Sequence, residues 1–267
     1  MEKQKIIQFK NLVKKFKDFD AGDDISFDVE KGEIFAFLGP NGAGKTTTIK
    51  VLTTLLHPTS GDVKVNGFSP VSQQNEVRLS FGIVFQDSSL DDELTALENM
   101  EFHAVLYDVE PSMRKQRIPE LLKLVELWDR KDDLVKTFSG GMKRRLEIAR
   151  GLIHHPKVLF LDEPSLGLDP QTRNFLWEYI KRMNKKEKMT IFLTTHYMEE
   201  AEKVADNIAI IDNGKIMKIG SSAKLKKDTH SKTLEEAFLK LTGHHIREET
   251  ASAKDRFRTH SQRWRRR

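Results

Sequence analysis

Residues 39–48 read GPNGAGKTTT, and this stretch decides how the rest of the chain is organised. It fits the phosphate-loop pattern G-x-x-x-x-G-K-[ST] through Gly39, Gly44, Lys45 and Thr46. An apolar run, Ile34-Phe35-Ala36-Phe37-Leu38, precedes it and the helical-looking IKVLTTLL follows, so strand, loop and helix stand in the order the pattern requires. A phosphate chain carries several negative charges. A glycine-rich loop bends so that successive backbone N–H groups point inward at those charges, with the positive end of a helix behind them. The pattern expects Lys45 at the β/γ-phosphates of a nucleotide and the Thr46 hydroxyl on Mg²⁺, with Pro40, Asn41, Gly42, Ala43 and Thr47 completing the lining.

Outward from the loop, strand and helix signals alternate. Upstream, IIQFKNLVKKF and DISFDVEKG, with Ile25, Phe27 and Val29 alternating, predict strands that turn at Lys31-Gly32 into the phosphate-loop strand. Phe16 lies near the loop between them. Downstream, PTSGD (residues 58–62) predicts a turn, VKVNG a short strand, and FGIVFQ (residues 81–86) an apolar strand ending in Gln86. Residues 87–137 change character, because LTALENMEFHAVLY and MRKQRIPELLKLVELW carry apolar residues at three and four spacing; a helical subdomain inserted over about residues 87–155 is expected. In FSGGMKRRLEIARGLI, Ser139 is placed to cap a helix whose first glycines leave its amides bare, a second anion-binding helix end.

KVLFLDEP (residues 157–164) reads as a buried strand ending in two carboxylates. In a phosphate-loop ATPase the first acid, here Asp162, holds Mg²⁺ through the loop threonine, and Glu163 is placed to take a proton from a water attacking the γ-phosphate. SLGLD follows, then a helix from Pro170, a strand MTIFLTTH ending at His196, the helix YMEEAEKVAD and two strands turning at Asn213-Gly214. SAKLKK and TLEEAFLKLTG read as short terminal helical pieces, and there is no internal repeat.

Composition bounds the answer. Zero cysteines exclude disulfides and thiolate metal sites. There is no run of 18 apolar residues, and MEKQKIIQFKN is too polar for a signal peptide, so the chain is expected to stay on the synthesising side of a membrane. The net charge of +5 is confined to the end: residues 250–267 hold seven Lys or Arg and one Asp, which leaves the preceding residues at −1. That tail is polar, lacks helical periodicity and is expected to be disordered; its basic residues, with Phe257 and Trp264 between some of them, also suit an anionic lipid leaflet.

Taken together, residues 5–243 resemble the nucleotide-binding subunit of an ATP-binding-cassette (ABC) transporter, with the parts in that family's order. The resemblance implies Phe16 as the aromatic stacking on adenine, Gln86 as the link between Mg²⁺ and the helical subdomain, FSGGM as the signature, SLGLD as the D-loop and His196 as the switch histidine. EIFAFLGPNGAGKTTTIKVL, LTTHYMEEAE and LEEAFLKLTG look like the daunorubicin-resistance type of exporter ATPase. Phe138 and Met142 depart from the commonest signature residues, and Phe16 stands where Tyr is commoner.

The fold implied is α/β: a phosphate-loop NTPase core with a mostly parallel sheet, an N-terminal antiparallel β subdomain and an inserted α-helical subdomain. Residues 1–243 would form the nucleotide-binding domain and 244–267 the basic tail. The function implied is ATP hydrolysis powering export of a hydrophobic drug, lipid or lipid-linked substrate, at the cytoplasmic face of the cell membrane. Separate integral membrane subunits would carry the substrate. A second copy of the chain, or a paralogous ATPase subunit, would supply Ser139 and Gly141 to the ATP held by Lys45, with His196 on the γ-phosphate. A soluble ABC ATPase acting on ribosomes or nucleic acid is the alternative; such proteins usually carry two cassettes or a long coiled-coil insertion, and this chain has neither, so no nucleic acid is expected. A non-transport kinase is disfavoured by the signature and by the base at Glu163.

Overall fold

The computed structural model describes residues 4–17 and 20–243. The arginine-rich tail therefore lies outside the described residues. In chain order the elements begin with β1 (Lys5–Lys15), β2 (Asp20–Glu30), β3 (Ile34–Leu38), α1 (Lys45–Leu52), β4 (Ser60–Val65), α2 (Gln74–Ser80) and β5 (Phe81–Val84). Three helices follow, α3 (Ala96–Leu106), α4 (Pro111–Leu124) and α5 (Gly140–Gly151), before strands resume. The remainder is β6 (Val158–Asp162), α6 (Pro170–Glu187), β7 (Thr190–Thr195), α7 (Met198–Val204), β8 (Asn207–Asp212), β9 (Lys215–Gly220), α8 (Ser222–Asp228) and α9 (Leu234–Thr242). No helix among the described residues is long and apolar enough to cross a membrane.

Two sheets pack face to face. The smaller has the order β2-β1-β4 and is antiparallel; the larger has the order β5-β6-β7-β3-β8-β9 and is parallel except for β9. Strand periodicity of two sorts their side chains into two cores. On β3, Phe35 and Phe37 face the small sheet, while Ile34, Ala36 and Leu38 face the helices; Phe160 on β6 and Phe192 on β7 repeat the division. The aromatic side forms a ladder of rings, Phe9 to Phe27 at 4.4 Å, Phe27 to Phe35 at 5.3 Å and Phe35 to Phe192 at 5.6 Å between centroids. Such pairs contribute about 0.5–1.5 kcal/mol each beyond area burial, which fixes how the two sheets sit on one another.

Helix starts follow their caps. Thr95 and Glu98 close a capping box on α3, Ser139 accepts from the Met142 N–H at the start of α5, and Asp169 accepts from the N–H groups of Gln171 and Thr172 ahead of Pro170 on α6. Two boundaries and one element differ from the sequence expectation. β5 stops at Val84, so Gln86 stands in the loop and not at a strand end. β4 begins at Ser60, inside the stretch expected to be a turn, because Ser60 pairs with Val13 across a register shift in β1. The sequence reading also missed α2, a polar helix that buries only Val77 and Ser80.

Candidate nucleotide site

The loops after β3, β5, β6 and β7 leave the same edge of the large sheet and carry Gly39–Thr46, Gln86, Glu163 and His196. In open α/β sheets this carboxyl edge is where ligands bind, since loop amides and helix N-termini converge there. Gly44, the N-cap of α1, has φ 105°, and a Cβ on it would stand 2.0 Å from the Ala21 carbonyl oxygen. Gly39 is equally confined, a Cβ there meeting the Ile211 carbonyl oxygen at 2.4 Å. Only glycine lets the loop press this closely on neighbouring backbone.

Lys45 is buried. Its Nζ donates to the carbonyls of Gly39 (2.8 Å) and Pro40 (3.2 Å) and lies 3.1 Å from Glu163 Oε1. The other carboxylate oxygen of Glu163, Oε2, pairs with His196 Nδ1 at 2.8 Å. Asp162 Oδ1 accepts from the hydroxyls of Thr194 (2.6 Å) and Thr46 (3.3 Å). Glu163 itself has φ 49°, and its N–H donates to the Thr194 carbonyl (3.2 Å) and hydroxyl (3.0 Å), which hold it there. A non-glycine residue kept in this region stores about 1–3 kcal/mol, the cost of turning the carboxylate out of the strand toward Lys45 and His196.

The two adjacent carboxyls are driven apart in acidity. Burial pushes Asp162 up, offset in part by the Thr194 and Thr46 hydroxyls. Burial pushes Glu163 the same way, but the bond from His196 and the charge of Lys45 outweigh it and hold Glu163 below the ordinary carboxylate value. Glu163 is ionised at neutral pH, and among the described residues its Oε1 makes no aligned hydrogen bond. That oxygen is ion-paired with Lys45 at 3.1 Å, and a carboxylate kept deprotonated in this way can take up a proton as a general base must.

The donors fit a nucleotide and a hard cation. Ammonium and loop amides suit phosphate oxygens, while the Thr46 hydroxyl and Asp162 carboxylate, 3.3 Å apart, are oxygen ligands of the kind Mg²⁺ takes. No cluster of three or more His, Cys, Asp or Glu that could hold a metal occurs among the described residues.

Four expected site residues make their contacts elsewhere. Gln86 is exposed, and its carbonyl accepts from Arg144 Nη2 at 3.5 Å. Ser139 caps α5, and Gly141 faces Thr172, whose methyl carbon a Cβ would meet at 2.5 Å. Phe16 follows β1, 39% exposed, with Lys14 Nζ 5.1 Å above its ring.

Comparison with known proteins decides the family, since residues 22–166, over half the chain, match the family profile described as ABC transporter. The chain belongs to the ABC transporter family. It is an ATP-binding, ATP-hydrolysing subunit. This ABC ATPase is 41% identical over 220 residues to the linearmycin resistance ATP-binding protein LnrL of Bacillus subtilis, covering 82% of this chain and 70% of that one. It is 39% identical to the daunorubicin/doxorubicin resistance ATP-binding protein DrrA of Streptomyces peucetius, covering 85% and 69%. It is also 39% identical to the Nod factor export ATP-binding protein I of Cupriavidus metallidurans, covering 82% and 72%. Among solved structures, an ATP-binding subunit of an ABC transporter superposes with TM-score 0.80 at 30% identity, covering 89% of this chain and all of that one. The ATP-binding cassette MJ0796, dimeric and bound to ADP and Pi in a post-hydrolysis state, gives 0.72 at 26% identity, covering 80% and 98%.

Sequence reasoning passed over several residues that the ABC ATPase uses to hold its loops. Arg144 on α5 is buried and donates to the carbonyls of Phe85 (2.6 Å), Gln86 (3.5 Å) and Glu163 (3.4 Å) while pairing with Glu147 at 3.1 Å. Glu147 in turn accepts from the Ser89 N–H at 2.9 Å. One helix of the inserted segment thus grips both the loop after β5 and the backbone of Glu163. In MKRRLE nothing separates Arg144 from its solvated neighbours, since its burial depends on loops brought from elsewhere. Thr194 could have been found: in the parallel register it is the partner of Asp162.

Proposed function

We propose that this ATPase subunit holds Mg²⁺-ATP at Lys45 and the Gly39–Thr47 loop, and that Glu163 is the general base. The observation that carries this is the line Lys45–Glu163–His196, in which the buried Glu163 carboxylate is held ionised between Lys45 at Oε1 and His196 at Oε2. A water oxygen attacks the γ-phosphorus, its proton passes to Glu163, and the bond from the γ-phosphorus to the bridging oxygen breaks to release ADP. Lys45 and the loop amides bind the phosphates, and His196 steadies the γ-phosphate. Thr46, Asp162 and, on loop movement, Gln86 would hold Mg²⁺, which neutralises charge on the phosphate oxygens when bound.

Ser139 and Gly141 open a helix with an anion-binding end, and its Lys143 and Glu147 are engaged with Asp92 and with Ser89 and Arg144, away from that end. A second copy, or a paralogous ATPase subunit, placed head to tail would bring that end to the ATP held by Lys45, and Phe16 would stack on adenine. The dimeric cassette among the structural relatives supports this arrangement. Membrane subunits dock on α3, where Phe102, Val105 and Leu106 are 61%, 54% and 65% exposed. An apolar surface of this kind on a polar chain marks a protein interface, and Asn99 ties α3 to the loop after β5 through Asp91. The chain would then sit at the cytoplasmic face of the membrane. The relatives named for linearmycin and daunorubicin resistance and for Nod factor export support export of a hydrophobic drug, lipid or lipid-linked substrate.

One experiment tests base and shared site together. Glu163→Gln keeps shape and removes basicity, so turnover should fall at least a hundredfold while ATP binding persists, and bound ATP should hold two copies together on size exclusion. Adding Ser139→Arg should return that variant to monomers. Glu163→Gln with unchanged turnover would overturn the base assignment; dimers that persist with Ser139→Arg would overturn the shared site.

A further inference from the structure

His196 is fixed from its flanks. On one side the Thr195 hydroxyl accepts from the Tyr197 N–H at 3.0 Å, closing a turn around the histidine. On the other, the Tyr197 ring lies 4.0 Å from the His196 ring, and the Arg173 guanidinium stands 4.9 Å over Tyr197. Both supports lead to one residue. Glu200, in the first turn of α7 and 5% exposed, accepts from the Thr195 hydroxyl at 3.1 Å and lies 3.3 Å from Arg173 Nε.

The same carboxylate reaches a second loop. The Ser165 hydroxyl lies 2.6 Å from Glu200 Oε1 and 2.8 Å from Oε2, and Arg173 Nη2 donates to the Leu168 carbonyl at 3.2 Å. Ser165 is itself buried, while Leu166, Gly167 and Asp169 beyond it are exposed. That loop begins at Glu163, whose carbonyl accepts from the Leu166 N–H at 3.1 Å. Burying a carboxylate is expensive, and neither Ser165 nor Thr195 needs an anion to satisfy a hydroxyl. What a charged group adds is a stronger bond to two segments at once, short to Ser165 (2.6 Å) and longer to Thr195 (3.1 Å), which an apolar side chain would not supply.

We propose that Glu200 is a positioning residue for ATP hydrolysis: it locks the Ser165–Asp169 loop to the Thr195–Tyr197 segment, so that His196 and Glu163 are held in register with one another. It acts through its two neighbours, the Ser165 and Thr195 hydroxyls. The proposal rests on the roles given above to Glu163 and His196.

The test uses the full chain. Glu200→Gln keeps volume and one acceptor oxygen but turns an amide toward donors, so kcat should fall about tenfold. KM for ATP and the affinity for a fluorescent ATP analogue should stay within twofold, because the phosphate loop is untouched. A residue needed only for folding would lower the melting temperature without this split. Ser165→Ala combined with Glu200→Gln should turn over within twofold of Glu200→Gln alone, since both remove one link. A kcat within threefold of wild type, a loss carried by KM, or a double variant slowed by the product of the single effects would overturn the proposal. Should Glu200→Gln not fold, Ser165→Ala decides alone: a kcat lowered at least threefold with KM unchanged supports the lock, and any smaller loss overturns it. Glu163→Gln is the control, because its turning over at wild-type speed would bring down the reading of the site itself, whereas a slow Glu163→Gln beside a fast Glu200→Gln would bring down only the lock.

Discussion

The loop after β3 and the loop after β5 leave the same edge of one sheet, yet they are held by opposite means. The first is fixed by backbone sterics: Gly44 against the Ala21 carbonyl, Gly39 against the Ile211 carbonyl. The second is held by side chains reaching across from α5, with Arg144 on the carbonyls of Phe85 and Gln86, Glu147 on the Ser89 N–H, and Arg150 on the Ser89 carbonyl at 2.8 Å. Steric contact admits no adjustment, so the phosphate cradle keeps one shape. Hydrogen bonds from a helix let a loop follow that helix, so α5 is coupled to Gln86 and, through the Glu163 carbonyl, to the end of β6.

The comparison can be broken most severely at Gly44. Gly44→Ala should cost at least about 3 kcal/mol through overlap and a left-handed backbone, and abolish nucleotide binding in a fluorescence titration. Gly42→Ala is the contrast: its φ is 79° but open space surrounds it, so about 1 kcal/mol and near-normal binding are expected. Similar behaviour of the two would show that sterics do not fix the cradle.

A middle-sized effect separates the two loops by pH. At the root of β5, His154 Nε2 meets the Phe81 carbonyl at 2.9 Å, Tyr107 stacks on that ring at 4.0 Å, and His103 lies 4.7 Å from Tyr107. Burial pushes His103 down to about 3, helped by the charge of Arg150, and His154 down to about 4. Both rings fold neutral while the unfolded chain takes up protons near pH 6.5. Their stabilisation is thus full above that pH and falls as pH drops toward the folded values, by roughly 2 kcal/mol per ring at pH 5. Urea midpoints at pH 7.5 and pH 5 should show the loss, and His103→Leu should remove about half of it; a pH-independent difference between variant and parent would contradict the assignment.

The smallest effect is the most local. Arg144→Met with Glu147→Met deletes both buried charges together, so overall stability should change by less than about 2 kcal/mol. Amide exchange at residues 85–89 should nevertheless speed up about tenfold while that of residues 39–46 is unchanged. Equal protection of the two segments in parent and variant would remove the basis for contrasting them.

The same contrast explains what was legible in the sequence. Gly39, Gly44, Lys45 and Thr46 act within one loop, so their spacing alone announces the cradle, and Asp162-Glu163 are marked by the apolar strand before them. The parallel strands β3, β6 and β7 of the large sheet are apolar runs buried on both faces and were readable for that reason. Arg144 and Glu200 were not, because in KRRLE and MEEAE they look like solvated helix charges, and their partners Phe85 and Ser165 come from other loops. α2 escaped because a short polar helix with one buried apolar side chain, Val77, leaves no periodic signal.

The place of β3 in the large sheet has a consequence for how the protein is made. Its five residues pair in register with Ile191–Thr195 on one side, and Phe35–Leu38 pair with Asn207–Ile210 on the other. Both neighbours are translated roughly 150 residues later, about ten to thirty seconds at ribosomal speeds. By the time Val65 has been added, the small antiparallel sheet can already shelter Phe35 and Phe37, but Ile34, Ala36 and Leu38 belong to the helix-side core, built from Val84 onward, and the partner strands β7 and β8 emerge only in the last third of the chain. The nucleotide-binding motif is therefore among the first parts to leave the ribosome and among the last to be assembled. During that interval a nascent chain presents an unpaired apolar strand beside a cradle that is not yet formed.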